Sequence, residues 1–219
     1  MKAISHFLAA AALVTGAACS STSTSTDTGT AGTSTETGSP TAGATGMAAN
    51  DMGAPAPVVT AADAATDEAT FMGTFASMSD ATFLMNTASS NLLETQAGQM
   101  AAQKARNPEV RKYAEMMVSH HTAATQELKA MASPLGVQLP PTMLPVHQAM
   151  LDKLRDKSGS DFDEAYMDLM EKAHKLDIAM FEVKSNAADK VQIQAFATKS
   201  LPALRTHLTM ADAIEKKTD

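Results

Sequence analysis

Four long segments with the periodicity of amphipathic α-helices constrain the fold of this chain more than any other feature. They begin near residues 80, 107, 160 and 189, and apolar side chains recur in each at steps of three and four residues. No segment of the sequence shows the alternating pattern of a β-strand. The pattern therefore predicts an all-α protein whose four helices bury one shared apolar core.

Capping signals indicate where the helices begin. Asn107 and Pro108 open the second helix as N-cap and first helical residue. Asp161 and Glu164 have the spacing of a capping box, which predicts such a box at the start of the third helix. The fourth helix is expected to open at Asp189.

The connection between the second and third helices, residues 136–159, is longer than a normal bundle turn. It contains Pro140-Pro141 and a predicted short helix over residues 145–157. This length is compatible with an up-down bundle, or with one long crossover of the kind found in ferritin-like bundles. We expect His147, which lies on this connection, to be at the surface.

Each predicted helix carries a polar residue in the middle of its apolar face. These residues are Glu94, His121, His174 and His207. Glu94 and His121 lie nearly equal distances before and after the turn at Asn107, so an antiparallel helix pair places them at about the same height. The sequence therefore predicts that polar side chains meet near the centre of the bundle.

Two interpretations of this polar centre are open. In the first, Glu94, His121, His174 and His207 together bind one transition-metal ion, because imidazoles with one carboxylate suit zinc, copper or iron. In the second, the four residues form a buried hydrogen-bond network that fixes the register of the helices. Either interpretation provides the partners that a buried carboxylate requires.

Further candidate metal ligands lie beside this set. Glu171 and His174 have the Glu-x-x-His spacing of di-iron bundles, but the second motif of that kind is missing, so a complete di-iron site is not expected. His120 neighbours the apolar face and is expected at its rim. Met117 and Met170 each precede a histidine by one helical turn, which suits copper(I), although apolar packing explains them equally well.

The N-terminus has the features of an export signal. A positive end, the apolar run Phe7–Val14 and small residues up to Ala18 predict a signal peptide over residues 1–18. Cys19, the only cysteine, resembles the acylated cysteine of bacterial lipoproteins and predicts a lipid anchor in the membrane. Ser20 then indicates the periplasmic face of the outer membrane, whereas ordinary cleavage before Cys19 would leave the protein in the periplasm.

Residues 19–78 differ in composition from the rest of the chain. They are rich in Ser, Thr, Ala and Gly, which predicts a disordered tether followed by a bundle over residues 79–219. Apolar residues near the end of the tether, including Phe71 and Phe75, are expected to dock weakly on the bundle or to form a short helix. The net charge of -7, without a basic patch, gives no support for nucleic-acid binding.

Several segments of the chain together resemble a bacterial family. The segments include Asn91–Glu94, Asn107–Arg111, Met117–Thr122 and Leu201–Leu208. The family is a domain of unknown function, often described as a predicted outer membrane protein, with a ferritin-like four-helix bundle. The resemblance covers about residues 80–214 and implies the fold, export, and the residues Glu94, His121, His174 and His207. It implies an Asp where this chain has His120, and it implies no activity.

Together these features predict an exported, lipid-anchored, ferritin-like bundle. Metal binding or stress protection in the cell envelope is the function they favour. The alternative is a structural or interaction module whose His/Glu centre only fixes the fold. An oxidase is a third interpretation, which requires an open coordination position and a path for a substrate. The balance of these features favours a binding protein over an enzyme, and protein partners are not indicated.

Overall fold

The structure, a computed structural model, describes residues 65–218. The long helices of the bundle are α2 (Asp80–Lys104), α3 (Pro108–Ala132), α5 (Ser160–Ala187) and α6 (Val191–Thr218). The shorter elements are α1 (Glu68–Gly73), α4 (Pro145–Asp152) and two 3-10 turns, Phe75–Ser77 and Ser133–Leu135. Residues 65–218 contain no strand, which confirms the all-α prediction. None of the helices in this range is long and apolar enough to cross a membrane.

Contacts at the helix ends establish the topology of the bundle. Asp80, at the start of α2, accepts a hydrogen bond from Lys184 near the end of α5 at 3.0 Å. Asp163, near the start of α5, accepts from the backbone N–H of Arg106, just beyond the end of α2. The helices α2 and α5 are therefore antiparallel, and because α2 and α3 form an antiparallel pair, α3 and α5 run in the same direction. Their connection must span the length of the bundle, which selects the long crossover of ferritin-like bundles.

The crossover lies against α2 and is held there by hydrogen bonds. The hydroxyl of Ser89 accepts the N–H of Leu144 at 2.7 Å and lies 2.8 Å from Nδ1 of His147. The side chain of His147 is only 2% exposed, and its ring meets that of Phe71 edge-on. The expectation of a surface His147 was wrong, because α2 offers its imidazole a buried polar partner. The helix of the crossover ends at Asp152, earlier than predicted.

The segment before α2 folds against the bundle, although the sequence predicted a disordered tether as far as residue 78. The rings of Phe71 and Phe75 meet edge-on at 4.8 Å, and both side chains are buried. Of the two expectations, weak docking or a short helix, the short helix is observed as α1, and its Phe71 is buried. The signal peptide, the lipidated Cys19 and the tether up to residue 64 lie outside the described residues, and they remain predictions.

The start of α5 differs from the predicted capping box. Its N-cap is Gly159, which has a φ of 66° and provides no side-chain cap. Asp161 and Glu164 are both exposed. Asp163, which is buried, instead accepts the two backbone N–H groups of the α2–α3 turn at 2.8 to 3.0 Å. The buried acidic residue at this helix start therefore satisfies the backbone of a neighbouring turn and does not cap its own helix.

Close packing of α2 on α3 sets the height of the polar centre. A Cβ atom added to Gly98 would lie 2.9 Å from Cγ2 of Val118 and 3.0 Å from the carbonyl oxygen of Ala114. Only a residue without a side chain allows this approach of the two backbones. The side chain of Asn107 caps α3 as predicted, accepting the N–H of Glu109 at 2.8 Å. The register of the two helices is thus fixed at the turn and at a tight contact one turn from Glu94.

Candidate metal centre

Four buried side chains, one from each long helix, meet near the middle of the bundle. Glu94 of α2 and His174 of α5 are 0% exposed, and His121 of α3 and His207 of α6 are 4% exposed. One ring nitrogen from each of the three histidines lies within 4.8 Å of the others. The structure therefore brings together the four residues singled out in the sequence.

The carboxylate of Glu94 lies between two imidazoles without a hydrogen bond. Its Oε2 is 2.7 Å from Nδ1 of His121, and its Oε1 is 3.3 Å from Nε2 of His174. The Nδ1 of His121 is aligned instead with Oδ1 of Asn91, at 2.9 Å. Among residues 65–218, no group makes a hydrogen bond of acceptable geometry to either carboxylate oxygen. A fully buried carboxylate in this state is costly unless a cation, a proton or a metal ion, is bound beside it.

A backbone contact fixes the tautomer of His174. Its Nδ1–H donates to the carbonyl oxygen of Met170 at 2.7 Å. The lone pair of Nε2 is then directed to the interior, 3.2 Å from Nδ1 of His207. A neutral imidazole whose outer nitrogen donates to a carbonyl and whose inner nitrogen carries a lone pair is the usual arrangement of a metal-binding histidine.

His207 connects the buried centre with the surface. Its Nε2 lies 2.8 Å from Nδ1 of His120, and the two rings stack with centroids 5.1 Å apart. His120 is exposed, at the rim of the apolar face as expected. A continuous path of imidazoles thus runs from His174 in the core, through His207, to solvent.

Burial determines the charge states of these groups. Burial, together with His174 and His121, lowers the pKa of His207 to about 3. Burial also lowers the pKa of His174, although the nearby Glu94 opposes the effect. For Glu94, burial raises the pKa, whereas protons on the surrounding imidazoles, that of His121 first, lower it below its usual 4.5. The centre therefore favours neutral imidazoles at His174 and His207, the form that binds metal ions, and its carboxylate favours a bound cation.

The weaker candidates from the sequence contribute less to the centre. Met117 and Met170 are fully buried in the hydrophobic core, and Met170 contacts His174 through its backbone carbonyl. Glu171 does not join the histidines, because it faces an acidic group on the outer side of α5 and α6. Glu171 and His174 therefore do not act as a Glu-x-x-His pair, because only His174 belongs to the centre.

Two polar residues that sequence reasoning missed complete the surroundings. Asn91 lies one turn before Glu94 and holds the imidazole of α3. Asp177 lies one turn after His174 and accepts from the hydroxyl of Ser90 at 2.9 Å. Burial, and then the charge of Glu94, raise the pKa of Asp177 well above its usual 3.8, which favours the protonated carboxyl. Asn91 lies three residues from Glu94, and Asp177 lies three residues from His174, so each shares a helix face with a central residue. This spacing could have identified both residues from the sequence.

A cavity of about 320 Å³ adjoins the centre between α3 and α6. The imidazoles of His121 and His207 form part of its wall. Glu127 and Lys199, which are exposed, also line it, so the cavity opens to solvent. The histidine centre is therefore accessible from outside the bundle without unfolding of a helix.

The fold and the centre define a four-helix bundle with a buried His/Glu site, and the sequence places that bundle in a family. The chain belongs to the DUF4142 family, a domain of unknown function, which matches residues 61–214. This confirms the predicted membership of a family of unknown function, from which no activity follows. No curated protein matches the chain significantly.

Two solved structures have a similar fold. One is CopM in the Cu(II)-bound form, with a TM-score of 0.54, 18% identity and coverage of 64% of this chain and 97% of that chain. The other is a DUF305 protein from Streptomyces coelicolor described as secreted, with a TM-score of 0.54, 13% identity and coverage of 64% and 94%. At these identities the likeness concerns the fold alone, and it agrees with the predicted helical bundle.

Proposed function

We propose that this chain is an extracytoplasmic metal-binding protein that holds one transition-metal ion with Glu94, His121, His174 and His207. The observation that carries the proposal is the state of Glu94. Its carboxylate is 0% exposed, lies 2.7 Å from one imidazole and 3.3 Å from another, and accepts no hydrogen bond from the described residues. A cation between these groups would satisfy the carboxylate and the ring nitrogens together.

Each residue has a defined part in this proposal. Glu94 supplies the negative charge, and the three histidines supply neutral nitrogen donors. The carbonyl of Met170 orients His174, and the side-chain oxygen of Asn91 orients His121. Such outer contacts set the direction of a ligand's lone pair and raise its basicity. A bound ion would add to the site a Lewis acid or a redox-active centre, according to the metal.

The donor set narrows the choice of metal. One carboxylate with three imidazoles suits zinc, copper(II) and iron, and it does not suit magnesium or calcium, which prefer oxygen ligands. The Cu(II)-bound form of CopM, whose fold is similar, supports copper as the first metal to test.

The proposed location is the cell envelope, where the protein would buffer metal or protect against metal stress. The predicted signal peptide and the lipid anchor at Cys19 support export and attachment to the outer membrane. A structurally similar protein that is described as secreted agrees with export.

A structural role for the polar centre is the second candidate. It is favoured by the hydrogen bonds that already join His121 to Asn91, His174 to Met170, and His120 to His207. In that case the network would fix the register of the helices and no metal would be required. The unsatisfied oxygens of Glu94 argue against it, because a finished network would leave no buried acceptor free.

Titration of the metal-free protein with copper, zinc and iron tests the proposal. His174→Ala should weaken the binding of the preferred metal at least tenfold. His147→Ala is the matched control, because it removes another buried imidazole, one that hydrogen-bonds to Ser89 and is not among the four proposed ligands. Equal affinities of the two variants, or no binding by the unaltered chain, would leave the structural role as the better account.

A further inference from the structure

Two buried polar atoms beside the centre, apart from those of the proposed metal ligands, have no hydrogen-bond partner among the described residues. They are Nδ2 of Asn91 and Oδ1 of Asp177. The two side chains are 5% and 3% exposed, and both line the cavity of about 320 Å³ between α3 and α6. Buried polar groups in folded proteins are almost always satisfied, so a cluster of such atoms around one cavity indicates a ligand that completes their bonding.

The cavity has the composition of a small-ligand site. Its volume is roughly ten times the share of one water molecule in the liquid. Apolar side chains, among them Phe181, Phe196 and Leu204, form much of its wall, while Asn91 and Asp177 add a few polar groups. Binding sites for small molecules usually combine an apolar wall with a small number of polar groups in this way.

Charge determines which ligand the cavity would hold when the metal ion is bound. A divalent ion with one carboxylate and three neutral imidazoles has a net charge of +1. A net charge buried in the core is unfavourable, and a singly charged anion beside the ion cancels it. Glu127, an acidic residue of the wall, does not oppose an anion, because it is paired with Lys199 at 2.6 Å.

From this arrangement we infer that the cavity binds a small monoanion next to the metal ion, with Asn91 and Asp177 as its hydrogen-bond donors. The inference rests on the proposed function. The amide of Asn91 has a free N–H group. Oδ1 of Asp177 has no partner among the described residues, and its Oδ2 accepts from Ser90, so a protonated carboxyl would present its O–H to the cavity. Burial, and then Glu94, raise the pKa of this carboxyl and favour that form. The two groups would hold an anion that the ion attracts.

Anion titration of the copper(II)-loaded full chain tests this inference. Azide and formate are the probes, and formamide is the neutral counterpart of formate. Binding is followed by the charge-transfer absorption and the electron paramagnetic resonance of copper, which report ligands at the ion independently of any activity. We expect saturable changes with both anions, and at least tenfold weaker binding of formamide.

Variants that fill the cavity test whether the anion binds there or at another site. Ala124→Phe fills the cavity from α3, and Ser200→Leu fills it from α6 if the first variant does not fold. Ala130→Phe is the matched control, an exposed position on the same helix outside the cavity. Filling the cavity should weaken azide binding at least tenfold with the copper content unchanged, whereas the control should bind azide like the unaltered chain.

The outcomes distinguish this inference from the proposed function. If copper binds but the anions cause no change, or if the filled variants bind azide as well as the control, the inference is overturned and the metal site stands. If no metal binds, the proposed function fails and the inference fails with it.

Discussion

The Oε2 atom of Glu94 lies 2.7 Å from Nδ1 of His121, yet the imidazole is aligned with Asn91 and not with the carboxylate. The two ionisable groups of neighbouring helices are thus close enough to share a cation but are not joined by a well-aligned hydrogen bond. In the metal-free centre, the charge of Glu94 can be balanced only by protons on the neighbouring imidazoles. Burial lowers the pKa of His174 and His207, so these imidazoles tend to lose their protons. This relationship is the physical basis for proposing a metal ion at the centre.

The first prediction concerns stabilisation by metal. A ligand that binds only the folded state at 100 times its dissociation constant raises the free energy of unfolding by about 2.7 kcal/mol. We expect an increase of this size with the preferred metal, and most of it should vanish in Glu94→Gln. Urea unfolding with metal and with chelator provides the measurement. His147→Gln should retain the increase, and an equal response of Glu94→Gln would show that the ion binds elsewhere.

The second prediction concerns the turn between α2 and α3. Asp163→Ala removes the acceptor of the part-buried N–H groups of Arg106 and Asn107, and the loss of these hydrogen bonds should cost about 1–3 kcal/mol in unfolding free energy. Asp161→Ala alters an exposed acid two positions earlier and should change stability by less than about 0.5 kcal/mol. Chemical denaturation of both variants provides the comparison, and equal effects would contradict the role given to Asp163.

Much of the fold was predictable because it follows from local rules. The helices follow from apolar periodicity, and the level of Glu94 with His121 follows from their equal distances from the turn at Asn107. The central four residues were predictable for the same reason, since each interrupts an apolar face at mid-helix. The direction of the third long helix was left open, because the length of a connection does not say which way it runs.

The remaining features depend on contacts between distant parts of the chain. Asp163 satisfies a turn that precedes it by more than fifty residues, and the buried place of His147 depends on Ser89 of α2. No local pattern contains these partners. The raised pKa of Asp177 has the same origin, because it results mainly from burial by the neighbouring helices and not from the local sequence.

The third prediction concerns the tight contact between α2 and α3. Gly98→Ala would place a methyl group 2.9 Å from the side chain of Val118 and 3.0 Å from a backbone oxygen. Such overpacking should lower the free energy of unfolding by about 1–3 kcal/mol and displace Glu94 relative to His121. Gly73→Ala, where a methyl group meets nothing within 4 Å, should be neutral or slightly stabilising. A tolerated Gly98→Ala in thermal unfolding would mean that the helices are less closely packed.

The fourth prediction concerns acid stability. Burial lowers the pKa of His147 to about 4, from an ordinary value of 6.5. As the pH falls from about 6.5 to 4, the unfolded chain takes up a proton at His147 that the folded protein does not, so stability falls by up to about 3 kcal/mol. Above pH 6.5 this contribution should not change with pH.

His147→Gln removes this titration, so its stability should depend less on pH in the same window. Unfolding in urea at several pH values, with chelator present to exclude metal effects, gives the difference between the two proteins. Parallel pH profiles of the variant and the unaltered chain would contradict the buried, neutral state of His147.

The metal content of the purified chain tests the central proposal most directly. After reconstitution with copper, zinc and iron in turn and removal of loosely held ions, elemental mass spectrometry should find about one ion of the preferred metal per chain. His121→Ala and Glu94→Gln should lose that ion, while His147→Ala should keep it. A well-folded chain that retains none of the three metals, or one whose metal content is unchanged in His121→Ala, would contradict the account.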